Sequence, residues 1–233
     1  MKRRRKAIFI TGASRGLGFA LTQKFIRKRW AVVSLVRQEK DATRLKEIGG
    51  GHCFPILSDV TTNDVQVSIQ GLLKFFGNID VLINNAGIGG KSDTFTQTTA
   101  DEVLSLLNVH CVGVLRVTQA VLPFMNKNGA IINISSRFGS VTKVGTGQLD
   151  DISCSYSYRI SKAAQNMLTQ CMCREFKNSK MKICSIHPGR LKTGSASTDA
   201  DRTPGEAAET LYEKLKNIEH GKFYSLFNGT IDW

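Results

Sequence analysis

The stretch Ile8-Phe9-Ile10-Thr11-Gly12-Ala13-Ser14-Arg15-Gly16-Leu17-Gly18 is an apolar run, a glycine-rich turn and the start of an amphipathic helical pattern. Strand, turn and helix in that order are what a dinucleotide pyrophosphate requires, because a helix N-terminus presents unpaired N–H groups and a positive dipole end. Gly12 permits the tight turn, Gly16 lets the backbone approach the phosphates, and Gly18 lets helix and strand pack closely.

Outward from this turn, strand and helix patterns alternate along the chain. Strands are expected at Lys6 to Ile10, Ala31 to Val36, His52 to Leu57, Ile79 to Ile83, Gly129 to Ile134, Met181 to Ile186 and Lys222 to Leu226. Helical patterns lie between them, among them one long helix from Ala100 to about Phe124 that Pro123 ends. Another opens at Tyr156, and a last one from Pro204 has Thr203 and Glu206 as a capping box. The alternation means an α/β fold: one doubly wound Rossmann domain over residues 1–233, with a parallel sheet of about seven strands and helices on both faces. Ser140 to Ser155 is polar and poorly periodic, and reads as a loop inserted near the site.

The second strand ends in Val36-Arg37, where an NAD-binding fold carries an acid for the ribose hydroxyls. A carboxylate there would repel a 2′-phosphate, whereas Arg15 and Arg37 can pair with one. The expected cofactor is therefore NADPH or NADP+. Asp59 can accept from an adenine amino group or start the next helix. Asn84-Asn85-Ala86-Gly87 follows the fourth strand and suits a site that holds backbone and ribose through amides.

Composition narrows the classes. At 233 residues and 41% hydrophobic, the chain can build one substantial core. The six cysteines form no disulfide framework, no apolar run approaches a membrane span, and four scattered histidines make no metal site. The cytoplasm is the expected compartment. The net charge of +13 includes a basic N-terminal tail, residues 1–5, read as solubilising. The rest is dispersed and marks no nucleic-acid module.

Tyr158 and Lys162 are four residues apart and share one helix face. An ammonium beside a phenol favours the phenolate, so this tyrosine could donate a proton to a carbonyl oxygen near neutral pH. Ser136, at a strand's carboxyl end, could orient that oxygen, and Asn108 could hold a water against the lysine. His187, beside Pro188, reads as a strand-end or packing histidine.

Taken together, these segments resemble the short-chain dehydrogenase/reductase family along essentially the whole chain. Residues 11–18, which include Ser14 and Leu17, are similar to its cofactor loop, and Asp59-Val60 and Asn84-Asn85-Ala86-Gly87 to its next two motifs. Asn108, Ser136, Tyr158 and Lys162 match its catalytic tetrad, and Pro188-Gly189 with Leu191 and Thr193 its nicotinamide segment. Within the family, Tyr156 to Met167 and the ending Asn228 to Trp233 resemble small carbonyl reductases of the sniffer and C-factor type. The resemblance implies NADPH-dependent reduction of an aldehyde, ketone or quinone-like carbonyl. Tyr158 would be the acid, Lys162 would lower its pKa and bind ribose, Ser136 would orient the substrate oxygen and Asn108 would anchor a relay water. It also implies a homodimer, with a monomer left open by the longer Ser136 to Tyr158 interval. The partners are a small carbonyl or alcohol substrate, with no specific nucleic acid and no integral membrane association. Alternatives are an NADP-dependent alcohol or steroid-like dehydrogenase running oxidatively, and a cofactor-binding regulator with little turnover.

Overall fold

The computed structural model describes residues 4–193 and 200–233. Strand β1 (Ala7–Thr11) leads through the glycine turn into α1 (Gly16–Arg27), β2 (Ala31–Val36), α2 (Glu39–Gly49), β3 (Cys53–Leu57), α3 (Asp64–Phe76) and β4 (Ile79–Asn84). Then come α4 (Ala100–Leu107), α5 (Gly113–Val121), β5 (Met125–Ile134), α6 (Val141–Gly145), α7 (Tyr156–Glu175), β6 (Lys182–His187), α8 (Pro204–Lys214), β7 (Phe223–Ser225) and β8 (Gly229–Thr230).

The sheet runs β3-β2-β1-β4-β5-β6-β7-β8, parallel except for the β7–β8 pair. The eighth strand, two residues long, is below the length at which a sequence pattern can register. Strand order reverses between β1 and β4, so a crevice opens beyond their carboxyl ends. Both faces are covered, and β1 and β2 are buried at every position. Ile8 and Ile10 pack on one face with α1 and α8, whereas Phe9 packs on the other with α3 and α5.

The long helix from Ala100 is continuous to Phe124, but not uniform. Between α4 and α5, Asn108–Val112 form a single π turn, and Leu122–Phe124, with Pro123, close it as a 3₁₀ turn. Contrary to expectation, this helix is long and apolar enough to cross a membrane by length and composition. Here its inward residues, Val117, Ala120 and Val121, are core residues buried under the sheet.

Two further expectations need adjustment. The 140–155 interval is not all loop, because Ser140 caps α6 through the Lys143 amide. Ser140 Oγ also donates to the Asp232 carbonyl (2.6 Å) and Thr142 Oγ1 to that of Trp233 (2.9 Å). Of the basic run, residues 1–3 lie outside the described residues. Arg4 pairs with Asp80 at 2.6 Å and Arg5 donates to the Gly51 carbonyl, so these two bind the body of the fold. The Thr203–Glu206 capping box is present at α8.

A buried polar chain crosses the centre of the sheet. Asn84 Nδ2 donates to Thr118 Oγ1 (3.1 Å) and Asn133 Oδ1 (2.9 Å), and Asn133 Nδ2 donates to Thr169 Oγ1 (2.8 Å). Ser185 Oγ also donates to Thr169 Oγ1, which donates to the Gln165 carbonyl (2.8 Å).

Candidate functional site

A cleft of about 1060 Å³ lies along the carboxyl edge of β1, β2, β4, β5 and β6. It brings together Gly12, Ser14, Arg15, Gly16, Arg37, Asp59, Val60, Asn85, Ala86, Gly87, Ser136, Tyr158, Lys162, Pro188, Gly189 and Thr193. Leu17 does not line it; it is buried in the core beneath the loop, as its position on the inner face of α1 requires. Leu191 likewise packs against the core and bridges to Arg202.

The loop after β1 turns through Gly12 and Gly16, both with positive φ (65° and 54°). Asn85 fastens it: its side-chain amide donates to the carbonyls of Thr11 (3.0 Å) and Gly12 (3.2 Å). Thr11 Oγ1 accepts from the amides of Asn85 and Ala86 (both 2.9 Å). Gly18 lies behind the loop, where a Cβ would overlap the Gly12 carbonyl oxygen and the Asn85 amide. The N-terminus of α1 has no side-chain cap and no acid in its first turn. Its N–H groups therefore face the cleft without a protein anion, which fits a bound phosphate.

At the far rim Arg37 faces Asp59 at 3.7 Å. Asp59 Oδ1 accepts from the Thr61 amide (2.9 Å) and hydroxyl (2.8 Å), so the carboxylate shapes the turn before α3. Sequence reading missed Arg44, which donates to the Ser14 carbonyl and stacks over Phe19 at 4.7 Å. It reaches the loop from α2, a contact that no local spacing signals. Lys192 and Cys154 also line the cleft.

The second half of the site is assembled on α7. Ser155 caps this helix through the Tyr158 amide (3.3 Å), and Ser157 Oγ donates to Glu102 Oε1 (2.6 Å). The Gly139 backbone packs so closely on α7 that a Cβ there would meet Lys162 backbone atoms at 2.7 Å. The turn carrying Ser136 is thereby pressed against the helix carrying Tyr158, and both side chains line the cleft. Ser135 Oγ and Asn166 fix the same turn. Lys162 Nζ, 4% exposed, donates to the Ile134 carbonyl (2.7 Å) and Gln165 Oε1 (3.0 Å).

Asn108 is not in the cleft. Its Nδ2 donates to the Thr61 carbonyl (3.3 Å) and its Oδ1 accepts from Arg116 (2.8 Å), so its side chain is spent on α3 and α5 contacts. In this π turn it is Val109 and His110 that face the cleft. His187 does line the cleft at the end of β6. Burial pushes it down to about 4, and the Arg137 charge adds to this.

Residues 6–203 match the family model for short chain dehydrogenases. The chain belongs to that family. This short chain dehydrogenase is 29% identical over 223 residues to the 3-oxoacyl-[acyl-carrier-protein] reductase FabG of Thermotoga maritima, covering 93% of this chain and 85% of that protein. An NADPH-bound carbonyl reductase from chicken fatty liver superposes with a TM-score of 0.87 at 26% identity, covering 99% of this chain and 100% of that one. The carbonyl reductase Sniffer of D. melanogaster shares the fold, with a TM-score of 0.85 at 23% identity and the same coverage.

Electrostatics in this short chain dehydrogenase differ from the sequence expectation. Burial pushes Tyr158 up to about 12 rather than down, outweighing the opposing pull of the nearby Ser136 hydroxyl. Lys162 does not lower it: Nζ lies 5.8 Å from the ring centroid and is turned to Ile134 and Gln165. Burial in turn pushes Lys162 down to about 7.

That depression has a thermodynamic consequence. The unfolded amine holds its proton up to 10.5, the folded one only to about 7. Between these values the unfolded state binds more protons, so this residue makes stability rise with pH, by about 1.4 kcal/mol per unit. Below pH 7 its destabilising contribution is full and constant. Urea unfolding of the wild type and Lys162→Met from pH 6 to 10 should show a stability difference in favour of the variant that shrinks as pH rises.

Proposed function

We propose that this protein is an NADPH-dependent carbonyl reductase acting on aldehydes, ketones or quinone-like substrates. The observation that carries the reading is the convergence of Ser136, Tyr158 and Lys162 in the cleft that the glycine loop opens. When bound, the nicotinamide supplies the hydride. Tyr158 donates the proton to the carbonyl oxygen, and Ser136 orients that oxygen. Lys162 sets the polar surroundings of the ribose side and is held for this by Ile134 and Gln165. Gly12, Ser14, Arg15 and Gly16 receive the pyrophosphate, and Pro188, Gly189 and Thr193 flank the nicotinamide. Arg15 and Arg37 favour a 2′-phosphate, a reading supported by Val36 standing where an acid would repel it.

The family resemblance to NADPH-bound carbonyl reductase and to an acyl-carrier-protein reductase supports the reductive direction. Exposed apolar side chains on α4 (Leu104), α5 (Leu115) and α7 (Ile160 and Met167) support a homodimer through these helices. Six unpaired cysteines suit the reducing cytoplasm.

The test is NADPH consumption against a panel of aldehydes, diketones, quinones and ketones, with NADH in parallel. Turnover with NADPH on at least one class supports the reading, and cofactor binding without turnover on any of them refutes it. Arg37→Ala should lower kcat/KM for NADPH by about 10- to 100-fold, as expected for loss of a charge-assisted contact, and leave NADH unaffected. Equal losses with both cofactors would remove Arg37 from the 2′-phosphate site.

A further inference from the structure

His110 is fully buried at the centre of the site, and sequence spacing did not single it out. Its partners fix its proton. The Ile88 amide donates to Nε2 at 3.1 Å, so Nε2 is the unprotonated nitrogen. Nδ1 therefore carries the hydrogen and donates to Ser161 Oγ at 2.8 Å, whose own hydroxyl donates to the Tyr158 carbonyl at 3.0 Å. The imidazole also meets the Tyr158 ring edge-on, with centroids 5.5 Å apart and planes at 89°. A Cβ on Gly87 would lie 3.1 Å from Nε2, so the loop after β4 rests directly on the ring.

We infer that His110 is a positioning residue: a neutral Nδ1–H imidazole that ties the loop Gly87–Ile88 to Ser161 and so sets Tyr158 against the cofactor side of the cleft. This rests on Tyr158 being the acid of the proposed reaction. Every hydrogen-bonding group in the chain is used once, with one consistent proton assignment. A second proton on Nε2 would point at the Ile88 N–H. Tyr158 and Lys162, both on α7, are the titratable groups that face the ring, and Gly87 and Ile88 bring none. Burial and the Lys162 charge both oppose protonation, holding His110 down at about 2. The π turn gives the ring its position, as such turns often do at functional sites.

Two substitutions divide the contacts. His110→Asn keeps a donor at the level of Nδ1, and His110→Gln keeps an acceptor at the level of Nε2. Each should lower kcat about tenfold, and His110→Ala about a hundredfold, with the KM for NADPH little changed, the scale of a small misplacement of reacting groups. Histidine-selective ¹⁵N spectra of the wild type should show one imidazole in the Nδ1–H form that does not titrate between pH 8 and 5, lost in His110→Asn. The spectra need no turnover and stand even if the reaction assignment fails. If the signal lost in His110→Asn is an Nε2–H form, or titrates in that range, the inference is overturned. So does His110→Ala at wild-type kcat while Tyr158→Phe is inactive. If Tyr158→Phe is itself active, the proposed reaction fails, whatever His110 does.

Discussion

Tyr158→Phe should lose turnover by about 10³-fold or more while still binding NADPH, since only the proton donor is removed. The phenyl ring keeps its edge contact with His110, so the cleft retains its shape. What disappears is the phenol hydroxyl, which shares the cleft with Ser136 and is the proposed proton donor to a carbonyl oxygen beside that serine. The buried phenol, pushed up to about 12, gives the reaction a direction in pH. An acid must be protonated, and Tyr158 holds its proton throughout the neutral range, so kcat for reduction should be flat through pH 9 as far as Tyr158 governs it. The reverse oxidation needs the phenolate, and its rate should climb about tenfold per pH unit below that value. Stopped-flow traces of NADPH loss with a carbonyl substrate, and of NADPH gain with the alcohol and NADP+, across pH 6 to 10 measure the two slopes. An acid limb for oxidation that levels off near neutrality would mean that bound cofactor reverses the effect of burial.

Gly18→Ala should be the most damaging small substitution in the cofactor half. The added methyl would overlap the Gly12 carbonyl oxygen and the Asn85 side-chain amide. Neither can yield cheaply: the first is backbone, and the second is the clip that holds the loop through the Thr11 and Gly12 carbonyls. Either α1 lifts from the turn or Asn85 leaves it, at a cost of about 1–3 kcal/mol for overpacking. NADPH affinity should fall by about a hundredfold, because the phosphate-facing N–H groups move with the helix. Tryptophan-quenching titrations with NADPH, alongside thermal melts, separate the loop's effect on binding from its effect on folding. A wild-type Kd in this variant would show that helix and turn can part without cost.

How far the sequence led depended on how local each feature is. The glycine turn, the strand ends and the α8 cap are set by residues within a few positions of one another, so their spacing carries them. Tyr158 and Lys162 followed from one helical interval. Asn108 rests on a motif match, which does not say which side chain of the segment faces the cleft; at the π turn Asn108–Val112 that side chain is His110. Arg44 and Cys154 come from flanking segments whose approach no periodicity encodes. The direction of the Tyr158 shift was out of reach as well. It depends on whether burial or the lysine charge dominates, which only the packed geometry decides.

The buried polar chain through Asn84, Asn133, Thr169 and Ser185 works as error detection during assembly. The inner stretches of β4, β5 and β6 (residues 81–84, 130–134 and 183–186) run parallel and largely apolar, and a slip by two residues there would keep apolar side chains on their own faces. Hydrophobic burial cannot tell such a slipped sheet from the native one. The amides can, because a shift would strand Asn84 and Asn133 among hydrocarbon, each unpaired group costing about 1–3 kcal/mol. The same chain ends on Thr169 of α7, the helix that also carries Lys162 and the Gln165 side chain that accepts from it. The register of β5 and β6 and the seating of the helix that carries Lys162 are therefore tied together, because Asn133 and Ser185 both meet Thr169.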